Sequence, residues 1–174
     1  LVDLCDPLSP LVFNDLFCLS HPQVHTLSIG AARPTDFDEH LKTLPLLDKA
    51  ELHLQPVLDR LHCRAQTILG EDWLRTWQLG LPSYAETPGN INIPAILRLR
   101  NLLLAFDMED YAKARYNMLG NAGHWFPGEK AEHLDQVDLS DCLRRSPHAE
   151  KIPQMLAETH TKLAGQAMAR LSNA

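Results

Sequence analysis

Residues 87–97, TPGNINIPAIL, mark the beginning of a helix in the middle of the chain. Pro94 stands where helix-forming residues begin, and proline is preorganised for the first turn of a helix. Residues 146–156, SPHAEKIPQML, repeat this arrangement with the same separation between their two prolines. The spacing predicts two helix starts of one kind. It indicates either a duplicated segment or a coincidence, since proline is common at helix starts.

Helical periodicity extends outward from these two starts over most of the chain. Apolar residues recur at intervals of three and four, which is the spacing of one helix face. The pattern predicts helices after Ser9, over residues 36–44, over residues 46–70 with an interruption near Pro56, over residues 94–107 and 111–119, near residues 138–146, and from Pro153 onward. We therefore expect a mainly α-helical protein.

The composition is that of a globular chain, with neither the basic clusters of nucleic-acid-binding proteins nor the apolar runs of membrane proteins. Of 174 residues, 45% are apolar and 22% are charged, and the formal net charge is −6. Basic residues are scattered, so no positive patch for a phosphate backbone is predicted. No apolar run approaches the roughly 20 residues that span a bilayer, and the first residues lack the pattern of a secretion signal. We expect a soluble, cytoplasmic protein.

The cysteines and histidines do not have metal-site spacing. The four cysteines are Cys5, Cys18, Cys63 and Cys142. No two of them form the Cys-x-x-Cys pair used by zinc and iron–sulfur sites. His62 and His148 are candidate nitrogen ligands for a metal, but no paired histidine or second thiol lies nearby in the sequence to complete a tetrahedral site. We predict reduced thiols and no metal site.

One segment alternates as a β-strand does. Residues 23–31, QVHTLSIGA, place β-branched residues before Gly30, which predicts a short strand that ends there. A lone strand has no partner for its backbone donors and acceptors. We therefore expect residues 1–50 to be the end of a larger fold whose neighbour is a parallel sheet, with a boundary between Thr43 and Pro56.

The stretch SHPQVHTLSIGAARP, residues 20–34, resembles the last strand and the following loop of the aldo/keto reductase barrel. In that family a glycine closes the strand, and the next loop and helix start hold the adenosine 2′-phosphate end of a nicotinamide cofactor. Helix N-termini suit this task because their free N–H groups attract phosphate. The resemblance covers residues 9–41. It implies cofactor contacts at Gly30, Ala31, Ala32, Arg33, Asp36, Glu39 and His40.

Two of these residues bear on the choice of nucleotide. Arg33 is the natural partner of a phosphate, whereas Asp36 stands where many NADP-using members carry a basic or amide side chain. A carboxylate there repels a 2′-phosphate. The resemblance therefore implies NADP or NAD in the intact parent protein, and it leaves open that no cofactor binds.

The remainder of the chain, including LGEDWLRTWQLGLPSYAETPGNINIP and YNMLGNAGHWFPG, resembles the C-terminal extension of a bacterial and cyanobacterial group of predicted aldo/keto reductases. Members of the wider group carry a ferredoxin-like helical module there. Bacterial-type cluster ligands read Cys-x2-Cys-x2-Cys-x3-Cys-Pro. The corresponding positions are Trp77, Gly80, Ser83 and Thr87 in one run, and Gln136, Leu139, Cys142 and Ser146 in the other. Because seven of these eight are not cysteine, we expect a module without an iron–sulfur cluster, in which packing replaces the metal.

The resemblance implies an oxidoreductase whose catalytic residues lie outside this chain. The family's Asp, Tyr, Lys and His set belongs to early barrel strands, and no segment here resembles their surroundings. Tyr84, Tyr111 and Tyr116 are expected to pack in the core or in interfaces. We expect residues 1–50 to be the terminal helix–strand–helix piece of a TIM barrel, and residues 51–174 to be the ferredoxin-like extension. Its partners would be the N-terminal barrel of the same protein and a protein redox partner.

A non-enzymatic alternative uses the aromatic residues. In an independent helical interaction module, Trp73, Trp77, Trp125 and Phe126 would form a docking patch. His124 lies beside Trp125 in the loop GNAGHWFPG, and a His-Trp flanked by glycines there resembles a feature of the family. Its role is either functional or limited to docking the loop.

Overall fold

The structure is a computed structural model that describes residues 1–30, 33–121 and 123–166, apart from the side chain of His124. Within these residues the regular elements are helices, and no β-strand forms. The predicted mainly α-helical fold is confirmed. The predicted contacts at Ala31 and Ala32 lie outside the described residues.

Nine α-helices lie in the described part of the chain. They are α1 Val2–Cys5, α2 Pro10–Leu19, α3 Asp36–Leu41, α4 Ala50–Leu69, α5 Glu71–Thr76, α6 Ile93–Phe106, α7 Glu109–Tyr116, α8 Ser140–Leu143 and α9 Ile152–Leu163. Short 3₁₀ helices connect them at Leu44–Lys49, Tyr84–Glu86, Pro88–Asn90, Gly123–Trp125 and Leu134–Gln136.

The helix starts follow the local signals in the sequence. The hydroxyl of Ser9 accepts a hydrogen bond from the amide of Val12 at 3.2 Å, which caps α2. Both repeated Ile-Pro pairs begin helices, at Ile93 in α6 and at Ile152 in α9. Proline fits there because the first turn of a helix needs no hydrogen bond from its N–H.

The chain divides into two compact units, an N-terminal unit, Leu1–Arg64, and a C-terminal unit, Ala65–Ala174. The division lies within α4, further along the chain than the predicted boundary after residue 50. The core of the N-terminal unit is small. Its buried apolar side chains are Cys5, Val12, Leu16, Ala50, Leu54 and Val57, and partly buried apolar side chains surround Leu16, Ala50 and Leu54.

The C-terminal unit has the larger core. It is built on α6 and α9, which pack against each other, and on α7, which contacts both. The residues that are almost completely buried include Ile93, Ile96, Leu97, Tyr116, Leu119, Leu143, Ile152, Leu156 and Leu163. The two Ile-Pro helices thus supply the centre of this unit.

Two local predictions are wrong. The predicted strand does not form, because residues 24–30 have no regular secondary structure and a strand requires a partner for its hydrogen bonds. The predicted interruption near Pro56 is also absent, since α4 runs continuously from Ala50 to Leu69. Proline removes one helical hydrogen bond and crowds the preceding turn. The remaining turns of this 20-residue helix tolerate that loss.

Candidate functional site

The predicted cofactor loop begins at an open glycine. Gly30 is exposed, and a β-carbon at this position would have no neighbour within 4 Å among the residues that the structure describes. Arg33 follows in the described residues, and 78% of its side chain is exposed. The loop therefore leaves a guanidinium group accessible at the surface of the N-terminal unit.

Arg33 and Asp36 bind each other. The backbone N–H of Arg33 donates to Oδ2 of Asp36 at 3.0 Å, and its guanidinium donates to Oδ1 at 3.2 and 3.3 Å. The Asp36 carboxylate lies against the guanidinium, so a phosphate that contacts Arg33 would also approach this carboxylate. A 2′-phosphate would face this negative charge, whereas a ribose hydroxyl would be able to donate to it.

Glu39 and His40 attach α3 to α2. Glu39 accepts hydrogen bonds from Ser9 at 2.6 Å and from Lys42 at 2.5 Å. The Lys42 ammonium, followed by the Ser9 hydroxyl, lowers the pKa of the Glu39 carboxyl. Nδ1 of His40 lies 2.5 Å from Oδ2 of Asp15, and both side chains are largely buried. These two predicted contact residues thus have structural partners inside the N-terminal unit.

The eight predicted cluster positions lie on two loops of the C-terminal unit. We call residues 77–87 the first loop and residues 136–146 the second loop. The two loops approach each other closely: a β-carbon at Gly80 would lie only 2.2 Å from the carbonyl oxygen of Arg145. Just beyond the end of the first loop, a β-carbon at Gly89 would lie 4.0 Å from a methyl carbon of Val137. The beginning of the first loop therefore lies near the end of the second loop, and the residues just after the first loop lie near the beginning of the second.

The space beside the first loop holds a buried polar network. The indole N–H of Trp73 donates to Oδ1 of Asn101 at 2.8 Å. The ring of His148 packs on the Trp73 ring with a centroid distance of 4.8 Å, and its Nε2 lies 2.8 Å from the Thr76 hydroxyl. That hydroxyl also donates to the carbonyl of Asp72, so Nε2 of His148 carries the hydrogen.

The sequence pattern missed this network because its partners are distant along the chain. Trp73 and Asn101 are 28 residues apart, and Thr76 and His148 are 72 residues apart. The sequence indicates His148 only as a candidate metal ligand. No local signal connects it with Trp73, and a single sequence contains no record of such pairs.

The tyrosines have structural partners or lie at the surface. Tyr116 is buried, and its hydroxyl lies 2.7 Å from Nδ1 of His160 and accepts from the amide of Ala131 at 3.1 Å. Burial raises the pKa of Tyr116 strongly, which disfavours proton transfer at neutral pH. Tyr84 and Tyr111 are exposed. The expectation that Tyr116 packs in the core is confirmed.

The four cysteines are free thiols. Cys142 lies partly buried in the second loop and donates to the carbonyl of Leu139 at 3.3 Å. Burial raises the pKa of this thiol, which keeps it protonated. Among the side chains that the structure describes, no three histidine, cysteine, aspartate or glutamate groups are close enough together to hold a metal ion.

Comparison of the chain with models of protein families, with curated proteins and with solved structures finds no match. Among the described residues, no helix has the length and apolar character that crossing a membrane requires.

Proposed function

We propose that the chain is the C-terminal portion of an NAD(P)-dependent aldo/keto reductase-like oxidoreductase. It would contribute the loop for the adenosine end of the cofactor and a helical cap or docking module, and it would not be catalytic alone. The reductase identity rests on the resemblance of residues 20–34. The structural observation that carries the proposal is the incomplete packing of the N-terminal unit.

The helix after the predicted strand exposes its apolar face. Phe37 and Leu41 of α3 are 46% and 57% exposed, and Leu44 in the following 3₁₀ helix is 58% exposed. Apolar side chains on one helix face are normally buried against another element. Residues 24–30 just before this helix are also without regular structure. Both features fit a segment that completes its fold against the remainder of a barrel.

The close approach of the two loops supports the ferredoxin-like part of the proposal. In two-cluster ferredoxins the fourth cysteine of each run binds the cluster of the other run, so the end of one run must lie near the first three ligands of the other. Here Gly80 in the second position of one run lies against Arg145, the residue before the fourth position of the other. Trp73, four residues before the first run, packs on His148, two residues after the second. The proposed module would thus keep the arrangement of ligand loops without the ligands.

The cofactor proposal is tested by titrating the intact protein that contains this chain with NADH and NADPH. We expect Arg33→Ala to weaken nucleotide binding about tenfold, because a charge-assisted contact to phosphate is lost. Arg75→Ala is a matched control, since Arg75 is 75% exposed and also pairs with an aspartate three residues away. If neither nucleotide binds, or if both variants behave alike, the reductase proposal is wrong.

A second candidate is an independent interaction module, which the exposed indole of Trp125 favours because 59% of it is accessible. The patch of four aromatic residues is not formed as expected, since Trp73 is only 7% exposed and Trp77 and Phe126 pack against the core. The discriminating variant is Trp125→Ala. It should weaken partner binding if the chain is an interaction module, and it should leave nucleotide binding unchanged if the chain is a reductase portion.

A further inference from the structure

A cleft of about 420 Å³ opens on the C-terminal unit, where α5, α6 and the beginning of α9 meet. Its apolar lining comes from Leu69, Trp73, Leu104 and Met155. The volume lies in the range of roughly 300–1,000 Å³ that is typical of small-molecule sites. The cleft is separate from the predicted cofactor loop, which belongs to the N-terminal unit.

Two cationic side chains line the cleft. Arg100 is 19% exposed, and its nearest carboxylate oxygen, on Glu158, is 3.8 Å away, which is too far for a hydrogen bond. Lys151 lies at the beginning of α9, and none of the ion pairs among the described residues includes it. The guanidinium of Arg100 is a planar donor whose geometry matches a carboxylate.

The wall beneath these groups is held by buried contacts. Trp73 is fixed by its hydrogen bond to Asn101 and by the ring of His148. His148 is in turn held by Thr76. A wall whose side chains already have their hydrogen bonds needs little rearrangement to receive a ligand.

We propose that this cleft binds a small carboxylic acid with an apolar tail. The carboxylate pairs with Arg100 and Lys151, and the tail lies along the apolar lining. Glu71 and Asp72 are exposed at the rim of the cleft. Their charges disfavour a polyanion such as a phosphate ester more than a single carboxylate. This binding is independent of the cofactor proposal because it uses only residues of the C-terminal unit.

The test titrates the full chain with octanoate and with octylamine, which has the same tail and the opposite charge. Calorimetry gives the affinity, and NMR follows the indole N–H of Trp73, assigned by comparison with Trp73→Phe. We expect octanoate to bind saturably and to shift the Trp73 signal, and octylamine to do neither. Equal binding of the two probes, or octanoate binding that leaves the Trp73 signal unmoved, would overturn the proposal.

Two variants of opposite sign locate the carboxylate. We expect Arg100→Gln to lower the affinity for octanoate at least about tenfold, because it removes the charge-assisted contact. Glu158→Gln should raise the affinity several-fold, since it removes the carboxylate nearest to Arg100. Arg98→Gln, on an exposed side chain of α6 outside the cleft lining, should have no effect. Unchanged affinity in Arg100→Gln, or weaker binding in a folded Glu158→Gln, would contradict the proposal. Each variant tests it separately, so one result is sufficient if the other variant does not fold.

Discussion

Gly80 is a residue at which the two loops of the C-terminal unit approach closely. Its φ is +67°, and a β-carbon would lie 2.2 Å from the carbonyl oxygen of Arg145. We expect Gly80→Ala to lower the free energy of unfolding by about 1–2 kcal/mol for the left-handed backbone and by about 1–3 kcal/mol more for the collision with rigid backbone. Urea denaturation at equilibrium measures the sum.

Gly89 provides the matched control for this variant. Its φ is +68°, and the nearest atoms to a β-carbon there would be side-chain carbons of Ile91 and Val137 at 3.8 and 4.0 Å, which are ordinary contact distances. Gly89→Ala should therefore lose only the backbone contribution of about 1–2 kcal/mol. The difference between the two variants isolates the contact between the loops. Equal losses would show that the loops do not approach closely in solution.

At the residue scale, interactions between neighbours in the sequence could be predicted, but the distant partners of a side chain could not. Arg33 and Asp36 lie three residues apart, so their interaction is visible in the sequence as a pair at one helix start. The partners of Glu39 and His40 are Ser9 and a buried carboxylate 25 residues away. Such contacts depend on how two helices pack, which local patterns do not encode.

At the element scale, α7 and α9 are joined by a pair whose charge state matters. Tyr116 on α7 lies against the ring of His160 on α9, and burial lowers the pKa of His160 below its ordinary value near 6.5. The neutral imidazole accepts the hydrogen bond from the tyrosine hydroxyl. Below pH 6.5 the unfolded chain therefore binds a proton that the folded chain does not.

The stability of the C-terminal unit should consequently decline as the pH falls from about 6.5 toward the lowered pKa of His160. The loss is complete once the pH is below the folded-state pKa, because both states are then protonated. We expect His160→Gln to reduce the slope of unfolding free energy against pH in this window. Denaturant titrations at several pH values measure it, and an identical slope in the variant would mean that His160 is accessible to protons in the folded chain.

Helices that begin with a capping residue or a proline could be predicted from the sequence. Elements whose formation depends on residues distant in the sequence could not. The Ser9 cap and the Ile-Pro starts of α6 and α9 act within one turn, so the sequence predicts them correctly. Residues 24–30 have strand-like alternation, but a strand exists only with a neighbour. Pro56 locally favours a break in the helix, but α4 continues through it from Ala50 to Leu69.

The whole molecule combines one unit with a large core and one with a smaller core. In the N-terminal unit the packed cluster contains Leu16, Ala50 and Leu54, with Cys5, Val12 and Val57 also buried, whereas the core of the C-terminal unit spans several helices. Seven large apolar side chains of residues 1–64 are more than a third exposed in the described structure: Leu1, Val2, Phe17, Phe37, Leu41, Leu44 and Leu52. Small domains that bury little apolar area are marginally stable.

This contrast predicts that the two units open with different free energies. Backbone amides of α6 and α9 should exchange hydrogen at least about tenfold more slowly than those of α2. Opening of the small core exposes less apolar surface, so its opening free energy should be lower by at least about 1.4 kcal/mol. Hydrogen exchange of the full chain, read by NMR or mass spectrometry, measures this ratio. Equal protection of α2 and α6 would show that the chain unfolds as one cooperative unit. If instead the proposed barrel covers the exposed face of α3, adding that barrel should slow exchange in α2 and α3 and leave α6 unchanged.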